Sequence, residues 1–327
     1  MAFSIPSLFS GGLITNYYCT SRCRHCAYFS SPKWEKEYIK PETARESLAR
    51  VKGAGCRSLH VGGGEPFLHP EGLSAVLDEF RSAGMGLDYV ETNSSWFRDA
   101  ESARTLLSGL RKQGLTTILV SISPFHNEYI PFEKIDGVMA AARKAGVGVF
   151  PWVDGFLADL KRFDRRTTHS LEEYESVFGE GYISRIPERY WVSFRGRALQ
   201  TYKAYMTSRP LRQILDRNRG PCRELFDTSH FHVDLFGCYI PGLCTGLSIR
   251  TRDIDTPLGE KEYPFIVPLM ERGISGLLEI AEGEYGFIPA ESYVSKCELC
   301  YEIRKFLVLE KDVDSPDLKP VRYYESV

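Results

Sequence analysis

The sequence predicts an α/β fold: a partial (β/α)6 TIM-like barrel followed by a small C-terminal domain built from a β-hairpin and a helix. Two observations carry this expectation. To about residue 220, short runs rich in β-branched residues alternate with longer segments of helical period, the pattern of βα units and a parallel sheet. Beyond "RGPC" at 219–222 the texture changes to short strands, Gly and Pro turns and clustered cysteines. The expected boundaries are therefore 1–220 for the barrel, 221–311 for the smaller domain and 312–327 for a polar tail or strap.

Six strands are expected, at 13–18, 58–62, 87–92, 117–122, 147–153 and 190–194. Helices are expected between and after them, at about 41–53, 70–84, 99–113, 132–146, 170–178 and 209–219. "PETARESLARV" begins the first with Pro early and acids in the first turn, and Gly53, Gly84, Gly114 and Gly146 mark helix ends. "HFHVDLFGCYIPG" reads as a hairpin turning near Gly237. In a barrel of this kind, functional groups gather at the C-terminal ends of the strands.

The chain has 327 residues, 43% hydrophobic and 26% charged, enough for one large domain and a smaller one. A formal net charge of −2 gives no reason to expect nucleic acid or an anionic membrane as partner. The N-terminus lacks the pattern of a signal peptide, and no uncharged run approaches the roughly 18 residues of a membrane span, so the expected location is cytoplasmic.

Nine cysteines is an odd count and they cluster, which favours metal ligation over disulfides. Cys19, Cys23 and Cys26 in "CTSRCRHC" stand at i, i+4 and i+7, a spacing that brings three side chains to one side of a coiled backbone. Zinc held by these three and His25 is one reading. An iron–sulfur cluster is the other, and three thiolates on four irons leave one iron open to a ligand.

The same residues resemble the signature of the radical S-adenosylmethionine (SAM) superfamily, CxxxCxφC with an aromatic at φ, where His25 stands. "GGEP" (Gly63, Gly64, Glu65, Pro66) follows the second strand, where the family has its SAM-amino-group motif. The third strand ends in Thr92 and Asn93, a common ribose-side element. The fourth ends in "SISPF", with Ser121 in place and Ser123 where the family often has Asp. The resemblance covers about the first 220 residues. It implies a [4Fe–4S] cluster on Cys19, Cys23 and Cys26, SAM on its open iron with Glu65 accepting from the amino group, and reductive cleavage of SAM to a 5′-deoxyadenosyl radical that abstracts hydrogen from a substrate. An electron donor such as flavodoxin or ferredoxin would be a partner.

Cys297 and Cys300 in "CELC", with Cys222 and Cys244 around the hairpin, suit either a second fully ligated cluster or a structural zinc. The arrangement looks like the twitch domain, the shortened relative of the SPASM domain, which implies an auxiliary [4Fe–4S] cluster. Cys238 competes with Cys244 for one ligand position; otherwise it is a core thiol or a hydrogen donor to a product radical. Cys56 is expected to be packing.

At the strand mouths, His126 is a candidate acid or base and Asp154 a candidate substrate contact, with Glu128, Arg195 and Arg197 nearby in the sequence pattern. The arginine-rich stretch 155–220 is a solvated basic face or an anion-binding lid. The aromatics among residues 182–205 read as core. His230 and His232 alternate on one strand and share a face, with no third ligand at metal spacing.

The expected function is hydrogen abstraction from a small molecule, with oxidation through the auxiliary cluster. The alternatives are modification of a peptide with a separate leader-binding partner, redox-neutral epimerisation using Cys238, and a zinc-stabilised binding module. The cluster motif begins at residue 19, leaving little room ahead of it for a leader-binding module, which tilts the reading towards a small molecule.

Overall fold

A computed structural model describes residue 5 and residues 7–325. Five strands, β1 (Gly11–Ile14), β2 (Ser58–Gly62), β3 (Gly86–Thr92), β4 (Thr117–Ser121) and β5 (Gly148–Trp152), form a parallel sheet in the order β5-β4-β3-β2-β1. Its register aligns Leu13 with Val61, Val61 with Val90, Val90 with Ile118 and Ile118 with Val149. The first four of these are fully buried, so this face is the apolar one, packed beneath the helices. The opposite face carries Gly12, His60, Tyr89, Glu91, Ser121 and Trp152, an unusually polar set for a barrel interior.

The connecting helices follow their sequence signals. α1 (Pro41–Gly53) has Pro at its start and buries Ala44, Ser47, Leu48 and Val51, one stripe at helical spacing. α2 (Pro70–Ala83) is capped by the His69 ring, which accepts from the Gly72 amide at 2.8 Å, and ends at Gly84 in the left-handed region. α3 (Ala100–Lys112) starts on Asp99, whose carboxylate accepts from the amides of Glu101 and Ser102. A single turn, α4 (Pro124–Asn127), precedes α5 (Phe132–Ala145), which ends at Gly146 with φ 72°. Gly53 and Gly114 are not the caps expected of them: Gly53 is the last helical residue of α1, and Gly114 lies one residue beyond the cap of α3.

The expected sixth strand at 190–194 does not form. These residues run as a connector between the helices Tyr182–Arg189 and Gly196–Tyr202. After a two-residue β6 (Arg209–Pro210), the place beside β1 is taken instead by β7 (Phe231–Val233), parallel to it with Gly11 opposite Phe231. β8 (Cys238–Ile240) and β9 (Ile249–Arg250) add antiparallel, giving one sheet of eight strands. The hairpin turns at Gly237, φ 74°, and the buried Asp234 carboxylate holds it by accepting from the amides of Phe236 and Cys238 and from the Tyr17 hydroxyl, each at 2.9 Å. Strands from the stretch 221–311 thus extend the barrel's own sheet.

Helices Ile266–Glu271, Ile274–Tyr285 and Lys296–Leu309 complete that stretch, with β10 (Ser292–Tyr293) pairing antiparallel with β6. The last described residues form a strap. The fully buried Asp317 carboxylate accepts from the amides of Phe265 and Ile266 at 2.7 and 2.9 Å, and Tyr323 and Tyr324 are buried. No helix among the described residues is long and apolar enough to cross a membrane.

The β1–β7 junction leaves no space for a side chain, because a Cβ on Gly11 would lie 2.4 Å from the Phe231 carbonyl oxygen. Gly11→Ala should therefore destabilise the protein by about 1–3 kcal/mol, read as a lower denaturant midpoint with an unchanged slope. An unaffected midpoint would mean that β7 does not pair with β1.

Candidate active site

The loop leaving β1 carries the three cysteines and has almost no regular structure of its own, so it is fastened from outside. The Asn16 carbonyl accepts from the Gly64 amide at 2.7 Å, the Tyr18 carbonyl accepts from the Glu65 amide at 3.2 Å, and the Asn16 side chain donates to the Glu65 carbonyl at 3.2 Å. These bonds zip the loop after β1 to the loop after β2. Contact is so close that a Cβ on Gly64 would sit 2.0 Å from the Tyr18 oxygen, while Gly63 adopts φ 151°.

Glu65 is fully buried and belongs to this scaffold. Its carboxylate accepts from the Phe67 amide at 3.1 Å, the Asn93 amide at 2.6 Å and the Thr92 hydroxyl at 3.0 Å, which ties β2 to the end of β3. Burial pushes it up to about 7 despite these donors. The expectation that Glu65 receives the SAM amino group thus meets a carboxylate already bound by the protein's own donors. Asn93 extends the brace by donating from its side chain to the Cys19 sulfur at 3.2 Å.

Arg197 fastens the other side of the loop. It donates from Nε to the Cys23 carbonyl at 2.9 Å, from Nη2 to the Ser30 carbonyl, and from its amide to the Cys26 carbonyl at 3.0 Å. Gly196 permits this approach, since its φ is 53° and a Cβ there would lie 2.4 Å from the Ala27 oxygen. Burial raises the Cys19 thiol to about 12 and the Cys23 thiol well above its ordinary value. Such thiols ionise only when a cationic centre takes the place of their protons.

Residues 13–173 match the model of the radical SAM superfamily. That segment is a radical SAM enzyme domain. No curated protein matches the chain's sequence. Among solved structures, anSMEcpe with bound AdoMet is 15% identical, with 94% of this chain and 98% of that chain covered at a TM-score of 0.46. BtrN in complex with AdoMet and 2-DOIA is 16% identical, with 84% and 91% covered at 0.44. Streptococcus suis SuiB bound to S-adenosylmethionine is 11% identical, with 80% and 68% covered at 0.37. At these scores the likenesses carry no argument about substrate or detailed geometry.

The three cysteines open onto a large cavity lined by inward residues of the strands and of the loops that follow them. Cys19, Cys23, His25, Cys26, Gly63, Gly64, Pro66, Thr92, Asn93, Ser121 and His126 all line it. The cavity suits a [4Fe–4S] cluster with SAM. Three thiols face it, and Ser21 Oγ, Tyr28 OH, Ser30 Oγ and Arg197 Nη1, on residues of its wall, are buried without a protein partner. Among the described residues, no three His, Cys, Asp or Glu side chains converge to hold a single metal ion. His25 is instead an aromatic packing element, stacked on Phe125 with centroids 4.6 Å apart and edge-on to Tyr190, which removes it from the zinc reading.

Other expected residues lie elsewhere. Ser123 is buried behind the wall, where its hydroxyl meets His126 Nδ1 at 2.7 Å and caps α4. Burial lowers His126 to about 4, so it faces the cavity as a neutral imidazole and not as a base poised near neutrality. Asp154 is exposed, because β5 ends at Trp152 and the turn that follows carries it outward, and it is not among the residues lining the cavity. Cys238 is buried in β8 and is not among the residues lining the cavity, so the structure does not favour it as a hydrogen donor.

A second, more apolar cavity of about 540 Å³ is lined by Cys222, Cys244, Cys297 and Cys300 together, without Cys238. Cys297 and Cys300 share the first turn of helix Lys296–Leu309, on one face at i, i+3, behind the Ser295 cap. Arg195, Lys296 and Arg304 line the same cavity, with the Lys296 ammonium 3.7 Å from the Cys222 sulfur. The residues that sequence reasoning missed are the inward-facing His60, Tyr89, Glu91 and Trp152. Their signal was polar and aromatic side chains at alternating positions of strands β2, β3 and β5.

Arg197→Met keeps the aliphatic stem and removes the donors to the cysteine loop. Iron should then leave the reconstituted protein for a chelator about tenfold faster than from wild type, while the circular dichroism spectrum is unchanged. Equal rates would show that Arg197 does not organise the loop.

Proposed function

We propose that the enzyme reductively cleaves SAM to a 5′-deoxyadenosyl radical, abstracts hydrogen from a small-molecule substrate and completes a net oxidation, with an auxiliary [4Fe–4S] cluster on Cys222, Cys244, Cys297 and Cys300 accepting the second electron. An external donor such as flavodoxin or ferredoxin supplies the first. The observation that carries this reading is that the two cysteine-lined cavities stand back to back. Ser193 and Arg197 face the larger one and Phe194, Arg195 and Gly196 the smaller; likewise Leu243 faces the first and the next residue, Cys244, the second. A wall formed by these same residues stands between the chamber and the four thiols, which supports passage of an electron from one to the other.

The chain's own residues contribute positioning. Glu65, Asn93 and Arg197 fix the cysteine loop, and the strand side chains enclose the reactants away from bulk water. Lys296, Arg195 and Arg304 place positive charge around the four thiols. Cations there favour arrival of an electron at whatever those thiolates hold.

Anaerobically reconstituted protein should carry about eight irons and eight sulfides per chain, falling to about four of each when Cys297 and Cys300 are both replaced by Ala. Oxidised product, formed one for one with 5′-deoxyadenosine, should come only from the eight-iron form. A wild-type protein with about four irons, or product formation by the double variant, would exclude the auxiliary cluster as acceptor.

A further inference from the structure

One end of the large cavity is lined from inward positions of β3 and the β7 segment by Tyr89, Glu91, His230 and His232, with His60 of β2 packed against them and Tyr28 of the cysteine loop edge-on to His232 at 5.5 Å. His60 Nε2 and His232 Nε2 are 3.2 Å apart. The Tyr89 ring stacks on His60 with centroids 5.1 Å apart, and His230 lies 5.1 Å from His232, ring to ring. Two glycines make the room. A Cβ on Gly12 would meet His60 Nε2 at 2.2 Å, and one on Gly62 would meet Glu91 Oε2 at 2.8 Å.

Charge at this end is one-sided. Burial pulls His60 down to about 3 and lowers His230 and His232 as well, so all three imidazoles are neutral. Glu91 is half-buried, and its one ion-pair neighbour among the described residues is the neutral His60, 3.8 Å away. The cavity's arginine, Arg197, spends Nε and Nη2 on the carbonyls of the cysteine loop, leaves only Nη1 without a partner, and makes no ion pair with Glu91. Glu91 is therefore a carboxyl facing the cavity with no cation from the protein, and the burial it has pushes it up to about 7.

We infer that this end of the cavity is a subsite for a primary ammonium group of the substrate, with Glu91 as its counter-ion and the rings of Tyr89 and Trp152 in its walls. The inference rests on the reading of this cavity as the reaction chamber. An ammonium offers three donors and no acceptor, which matches a carboxylate beside neutral imidazoles. Aromatic faces attract a cation and tolerate its dehydration. A substrate anion would meet like charge here with nothing to offset it, and an apolar or purely hydroxylated group would leave Glu91 uncompensated. Anchoring one charged end also decides which carbon is presented to the three cysteines.

The test is calorimetric binding to full-length, anaerobically reconstituted protein with SAM present, using pairs that differ in one group: cyclohexylamine against cyclohexanol, and glucosamine against glucose. The amines should bind wild type about tenfold or more tightly than their hydroxyl twins, and Glu91→Gln should erase the difference. Amines that bind no better than the alcohols overturn the proposal, and this wild-type ranking needs no variant. An amine preference that survives in Glu91→Gln overturns the role of Glu91. A loss of SAM affinity in Glu91→Gln as large as the loss of amine affinity would assign the carboxylate to SAM, and also overturns it. Failure of the radical reading would be seen separately, as no 5′-deoxyadenosine from reduced wild type whatever the binding results.

Discussion

The site depends on backbone carbonyls of the cysteine loop being held by a buried guanidinium. Residues 15–31 form neither helix nor ladder beyond an isolated bridge, so their polar backbone groups need partners from elsewhere. Arg197 supplies them from helix Gly196–Tyr202, and Thr201 on that helix adds a bond from its hydroxyl to the Arg24 carbonyl at 2.8 Å. A guanidinium suits this task because its planar fork reaches several acceptors at once and is weakly hydrated. The Glu65 carboxylate does the converse on the far side, gathering amides and a hydroxyl. One cation that collects carbonyls and one carboxyl that collects donors leave the cysteine sulfurs facing the cavity between them.

This arrangement explains why parts of the molecule were legible in sequence and others were not. β1 to β5 and the helices between them follow from local pattern: β-branched runs, N-terminal prolines, Asp99 as a cap and Gly84 and Gly146 as stops. "YWVSF" has the same local pattern as a strand, yet it becomes a connector, because the edge of β1 is filled by Phe231–Val233 instead. That pairing joins residues more than 200 positions apart, and a three-residue strand leaves almost no periodic signal. The cysteine sets were legible because ligand spacing is local. The choice between Cys238 and Cys244 was not, since both flank one turn and only the fold decides which thiol meets Cys222, Cys297 and Cys300. Glu65 was legible as a site residue but not in its role, because its partners Thr92 and Asn93 lie on another strand.

The barrel interior departs from the usual layers of branched apolar residues. Gly12 and Gly62 stand where side chains would ordinarily fill the centre, and His60 and Glu91 take the space above them. A polar interior costs stability, since each buried group must be satisfied or left waiting for a ligand. His232 Nδ1 and Tyr28 OH remain buried and unpartnered. Stability is instead drawn from the other face of the sheet, where Leu13, Leu59, Val61, Val90 and Ile118 are fully buried. The strands thus separate two tasks, with one face supporting the fold and the other forming the chamber.

The segment 193–197 joins both cavities, because Ser193 and Arg197 at its ends line the larger one and Phe194, Arg195 and Gly196 between them the smaller. The electrostatic settings on its two sides differ. On the chamber side the three thiols have Arg197 as their nearby cation, and its Nε and Nη2 donors are turned to backbone carbonyls. On the other side Arg195, Lys296 and Arg304 share a small apolar cavity with four thiols, and the presence of Cys297 and Cys244 in turn raises Arg195. A low-dielectric cavity strengthens each of these attractions relative to water. Lys296 is itself paired with Glu224 of the same cavity, so the surplus positive charge behind the shared wall rests on Arg195 and Arg304. With two cations there against the one in front, added negative charge is better tolerated behind the wall.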